Sequence, residues 1–122
     1  MAVALELRDT QPSRLALLLL IYGVFGLRDS SSRRLFGERD AGLSSKDMEY
    51  YFDCYARGPE DTHDRRFNNL SADLRGLPPA FIAAASLDPL LDDSVAMQAL
   101  MEEAGVTSQL RIYQGVLHGF LV

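Results

Sequence analysis

Several things are scarce in this sequence, and each scarcity excludes a class of protein. There is a single cysteine, Cys54, so no disulfide can form within the chain. Basic residues are outnumbered, leaving a net charge of −5, and phosphate binding needs a basic face; nucleic acid is excluded as a main partner. No apolar run reaches the length of a membrane span: the longest, Leu15 to Phe25, is interrupted by Gly23 and preceded by Pro12. Met1 to Ala4 carries none of the charge of a signal-peptide n-region. Neither an internal repeat nor a low-complexity tract occurs. These absences lead us to expect a cytoplasmic chain with no nucleic-acid and no membrane partner.

What is present fits one globular domain. The chain has 122 residues, 48% of them apolar and 24% charged. A chain of this size buries roughly two thirds of its unfolded surface, enough for a core.

The informative stretch runs from Ala80 to Phe120. Ala80 to Ser86 is small, apolar and continuous, which predicts a strand buried on both faces, with Asp88 just past its end. Ser108 to Tyr113 predicts a second strand, followed by a turn at Gln114-Gly115 and then His118. The segment between them has helical spacing, with Ala96, Met97, Leu100, Met101 and Ala104 on its apolar face and Gly105 as its stop. A strand–helix–strand unit of this kind makes the two strands parallel neighbours. In such sheets chemistry collects at the carboxyl ends of the strands. An acid followed by a histidine at adjacent strand ends supplies two members of a hydrolase triad whose chain order is Ser, Asp, His. Pro89 disfavours helical geometry at Asp88, so the carboxylate is expected on an extended residue at the strand tip.

Elsewhere the sequence predicts a third strand over Leu15 to Tyr22, parallel and buried, bounded by Pro12 and Gly23. Met1 to Arg8 reads either as the last turns of a helix or as a frayed terminus. Leu27 to Leu43 is polar, with Arg28, Arg33, Arg34 and Arg39 alternating with Asp29, Glu38 and Asp40, and reads as a solvated loop with local ion pairs rather than an anion site. Ser30, Ser31 and Ser32 lack the flanking glycines of a nucleophile turn. Ser44 or Ser45 caps a helix from Lys46 to about Arg57, whose Met48, Tyr51, Phe52 and Tyr55 form one stripe that suits core packing better than a pocket wall. Cys54 is expected to be a buried, inert thiol. His63, in the long connection from Glu60 to Pro79, has no second His or Cys near it and reads as a surface residue rather than a metal ligand. Asp92 or Asp93 is expected to cap the helix after Asp88.

Gly76-Leu77-Pro78-Pro79-Ala80, Asp88-Pro89-Leu90-Leu91-Asp92-Asp93 and Leu117-His118-Gly119-Phe120, in that order and spacing, resemble the corresponding segments of the hormone-sensitive-lipase-like carboxylesterases. Tyr22-Gly23, Gly26 to Ser30, Ser32 to Leu35 and Phe67 to Asn69 resemble the bacterial acetyl esterase branch more narrowly. The resemblance implies an α/β fold: residues 1–122 as the C-terminal portion of an α/β-hydrolase domain, three parallel strands with flanking helices, without the nucleophile segment and the last helix. It implies hydrolysis of small acyl esters with neither cofactor nor metal. Asp88 would orient His118, and His118 would act as general base and then general acid. The family's GDSAGG turn and HGGG-type segment do not occur here, so the isolated chain is expected to be inactive. A complementing N-terminal segment or a second copy in a homodimer is the expected partner, and a non-catalytic interaction module is the alternative. A metal-dependent phosphotransferase with Asp88, Asp92 and Asp93 around Mg²⁺ is disfavoured, because Asp92 and Asp93 are better explained as caps and no glycine loop is present to cradle phosphate.

Overall fold

The computed structural model describes residues 1–38 and 42–121. The elements run α1 (Ala2–Thr10), β1 (Leu18–Ile21), α2 (Ser31–Phe36), α3 (Ser45–Tyr55), two short 3₁₀ turns (Pro59–His63 and Asn69–Ser71), β2 (Ala80–Leu87), α4 (Leu91–Glu103) and β3 (Ser108–Leu117). Among the described residues, no helix is long and apolar enough to cross a membrane.

The three strands form one parallel sheet in the order β1-β2-β3. β2 is central because it can be: Ile82, Ala83, Ala84 and Ala85 are buried, and their small side chains let elements pack closely on both faces. α4 covers one face with Met97 and Met101, both fully buried, and joins Ile82, Leu5, Leu18, Phe25, Leu74, Leu77 and Val106 in one core. Gly105, at φ 71, ends α4 in the left-handed conformation, and the N–H of Val106 returns to the carbonyl of Met101 at 2.9 Å. α1 is a formed helix, held by the Arg8 guanidinium donating to the carbonyls of Asp73 and Arg75 ahead of β2. A smaller cluster of Met48, Phe52 and Leu90 joins α3 to the loop after β2.

Five expectations need correcting. β1 begins at Leu18, not Leu15; a turn with Ser13 at φ 70 precedes it, and Leu17 is 59% exposed. β1 is also not fully buried, since Leu19 is 61% exposed. The segment after Leu27 is not irregular: it holds α2, capped by the Ser30 hydroxyl, which accepts the N–H of Arg33 at 3.1 Å. Arg33 there is buried, donating to the Leu27 carbonyl at 3.2 Å, while Arg34 pairs with Asp29 in the expected exposed manner. Arg39 and Asp40 lie outside the described residues. Cys54 is exposed rather than buried. β3 runs on to Leu117, so Gln114 and Gly115 lie within the strand rather than in a turn after it.

Candidate functional site

The parallel arrangement brings the carboxyl ends of β2 and β3 side by side, but regular pairing alone would not align Asp88 with His118. Ala85 faces Tyr113, yet Leu87 faces Leu117, so four steps along β3 match two along β2. The extra length is taken up at Gly115, whose φ is 73 and whose N–H donates to the Ser86 hydroxyl at 2.9 Å. With Leu87 and Leu117 in register, the next residue on each strand is the acid and the histidine.

Asp88 is 1% exposed, and its two oxygens have separate tasks. Oδ1 accepts the N–H of Leu90 at 2.8 Å, which fixes the carboxylate plane at the entry to α4. Oδ2 lies 2.9 Å from Nδ1 of His118. An ionised carboxylate only accepts, so this contact places a hydrogen on Nδ1 and leaves Nε2 as the lone-pair nitrogen of the neutral ring. Among the described residues Nε2 has no hydrogen-bond partner, and His118 lines a cavity of about 650 Å³.

Much of the rest of the cavity lining comes from α3 and its neighbours. Met48, Tyr51, Phe52, Tyr55, Phe67 and Leu90 all face it. The helical stripe therefore divides: Met48 and Phe52 are buried and pack, while Tyr51 and Tyr55 are exposed and form wall rather than core, against expectation. Arg28 lies over the Phe52 ring at 4.2 Å. Tyr22, at the end of β1, sets its ring 4.8 Å from that of His118 at 62°.

Asp92 and Asp93 are not helix caps, which corrects the sequence reading. The residue before α4 is Leu90, without a side-chain cap. Oδ1 of Asp93 instead accepts three consecutive backbone N–H groups, from Phe25 at 2.7 Å, Gly26 at 2.9 Å and Leu27 at 3.2 Å. Burial pushes the Asp93 carboxyl above the usual carboxylate range, against the pull of those three donors and of Arg33. Asp92 accepts the N–H of Ser32 at 2.8 Å, and the Ser32 hydroxyl donates to the Pro89 carbonyl at 3.0 Å. The loop carrying Asp88 is thus stapled to the segment that follows β1. Each of the three carboxylates is committed to a different partner, and among the described residues no three His, Cys, Asp or Glu side chains are placed to hold a metal ion. Ser30 and Ser32 serve as cap and staple, and His63 is exposed in a 3₁₀ turn.

Sequence reasoning missed two residues of this site. Asp93 bonds to groups 66 to 68 positions away, beyond the reach of any local pattern. Tyr22 carries one signal, a large residue directly before Gly23 at a strand end, and that signal marks the strand end alone.

A family model described as alpha/beta hydrolase fold matches residues 1–122. The chain is 40% identical to an acetyl esterase of Salmonella choleraesuis (strain SC-B67) over 124 aligned positions, covering 99% of this chain and 38% of that protein. The same figures hold for an acetyl esterase of Salmonella typhi. Among solved structures, it resembles a thermophilic and thermostable carboxylesterase cloned from a metagenomic library, with TM-score 0.93, 28% identity, and coverage of 98% of this chain and 42% of that one. It also resembles an esterase of Pyrobaculum calidifontis, with TM-score 0.92, 30% identity, and coverage of 98% and 40%. The chain therefore spans 38% of the length of these curated relatives.

Proposed function

The chain belongs to the α/β-hydrolase fold family, as a hormone-sensitive-lipase-like member, and on that premise we propose that it is the acid–histidine portion of a carboxylic ester hydrolase for short acyl esters. The observation that carries this reading is the 2.9 Å contact between Asp88 Oδ2 and His118 Nδ1, with the other edge of the imidazole on the cavity. Acetyl esterase relatives support the short acyl chain.

In the proposed reaction, His118 Nε2 removes the proton of a serine hydroxyl as its oxygen bonds to the ester carbonyl carbon. The resulting imidazolium donates that proton to the departing alcohol oxygen as the carbon–oxygen bond breaks. Water then repeats the sequence on the acyl-serine, releasing the acid and freeing the serine. Asp88 holds the ring in the Nδ1–H tautomer and stabilises the imidazolium formed in both halves.

No GxSxG occurs in these 122 residues, and relatives are more than twice as long; the serine is proposed to come from polypeptide outside them. The isolated chain is accordingly proposed to be inactive. The test joins this chain to the remainder of the Salmonella acetyl esterase that it does not match. p-Nitrophenyl acetate hydrolysis that is lost in His118→Ala is the expected result. A folded joined protein whose activity survives His118→Ala would overturn the assignment, as would a stoichiometric nitrophenol burst from the 122-residue chain alone.

A further inference from the structure

We propose that Tyr22 is a positioning residue for His118, holding the imidazole so that Nε2 stays turned into the cavity; the inference rests on the triad reading above. Tyr22 has φ 36, in the left-handed region that a bulky side chain rarely enters. Its N–H remains bonded to the Ala83 carbonyl at 2.7 Å, so the strand continues up to this residue and the backbone then turns. The ring then packs against those of His118, at 4.8 Å and 62°, and Phe120, at 5.6 Å and 69°.

The conformation is held from behind. Asp93 clamps the N–H groups of Phe25, Gly26 and Leu27, and a Cβ at Gly23 would come within 2.5 Å of the Phe25 ring, so the loop after Tyr22 has little freedom. A glycine at position 22 would meet this backbone without strain. What glycine lacks is the ring, and the ring's aromatic neighbours are His118 and Phe120. Asp88 holds the imidazole through a single hydrogen bond at Nδ1, and once that bond breaks the ring is free to rotate about Cα–Cβ and Cβ–Cγ. An aromatic ring packed against it removes that freedom.

Two measurements test this. In the 122-residue chain, the His118 ring protons should carry a ring-current shift that Tyr22→Phe keeps and Tyr22→Gly loses, with exchange broadening in the latter. Unchanged His118 signals in Tyr22→Gly would overturn the inference. In the joined esterase, Tyr22→Gly should lower kcat on the order of 10²-fold, as for a misplaced reacting group, with KM within about threefold. Tyr22→Phe should stay within about twofold of the parent, because it keeps the ring. Full kcat in Tyr22→Gly would overturn the inference, and equal losses in both variants would overturn it in favour of the hydroxyl. The two readings fail separately: activity that survives His118→Ala rejects the triad, whereas activity lost in His118→Ala but kept in Tyr22→Gly rejects only the positioning role.

Discussion

The Asp93 carboxylate accepts the backbone N–H of Phe25 at 2.7 Å, across 68 residues of sequence. That bond, and its two companions to Gly26 and Leu27, fasten the start of α4 to the loop leaving β1. The segments bearing Asp88 and Tyr22 are thereby fixed relative to each other, and His118 lies between them.

Removing this anchor is expected to cost more than removing a helix cap. Asp93→Ala strands three buried or half-buried N–H donors at once, and each unsatisfied donor costs about 1–3 kcal/mol. A loss of about 3 kcal/mol or more is expected in urea unfolding. A cap residue would cost about 1 kcal/mol, and asparagine would replace it fully. Asp93→Asn keeps one acceptor oxygen and should fall between the parent and Asp93→Ala. Equal stability of all three proteins would show that the three N–H groups do not depend on the Asp93 carboxylate.

The same carboxylate gives stability a pH dependence of defined sign. Burial raises its folded-state value above that of the unfolded chain, about 3.9. Between the two values the folded chain keeps a proton that the unfolded chain has released. The contribution is therefore complete below about pH 4 and is lost as pH rises through the folded value. Asp64 behaves oppositely: its hydrogen bonds with Arg66 lower it to about 2, so its contribution fades as pH falls below about 4. Unfolding free energies of the parent and Asp93→Asn, taken from pH 4 to pH 7, should converge as pH rises. A gap that widens with pH would reverse the assigned direction.

The sheet was legible in the sequence because β2 and β3 are bounded runs whose polar neighbours, Asp88 and His118, stand at their ends. What could not be read has identifiable causes. α2 spans six residues rich in Ser and Arg, too short for a 3.6-residue period to emerge. Cys54 is two residues beyond the buried Phe52, about 200° around the helix, so the thiol faces solvent although it shares α3 with the core. The stripe at Met48, Phe52 and Tyr55 is real, but whether a stripe meets core or cavity depends on what packs opposite. The anchor at Asp93 is a long-range effect and leaves no local pattern, and the Tyr22-Gly23 pair marks a strand end without announcing the left-handed turn there.

Within the joined esterase, the three acids of the Asp88 loop should separate by readout. Asp88→Asn presents an amide to Nδ1 and no longer fixes the tautomer, so kcat is expected to fall on the order of 10⁴-fold. Asp92→Asn weakens the link to Ser32 and should cost about 1 kcal/mol of stability with kcat little changed. Loss of kcat in Asp92→Asn, with Asp88→Asn active, would exchange their roles.

The register slip at Gly115 yields the sharpest test of how the site is assembled. Without it, the pairing that sets Ala85 against Tyr113 would continue and place Asp88 beside Val116 rather than His118. The slip needs a residue at φ 73, and a Cβ added there would meet no atom within 4 Å. Any cost of substitution is therefore conformational, not steric. Alanine in this region costs about 1–2 kcal/mol, asparagine less because it enters the left-handed region more readily, and a β-branched residue more. The expected order of stability is Gly115, then Asn, then Ala, then Val, measured by thermal unfolding. Catalysis should fall in the same order but more steeply, because a chain that escapes the strain by straightening β3 withdraws His118 from Asp88. Activity that follows stability alone would show that the histidine is held by its own loop, with the bulge contributing only to the fold.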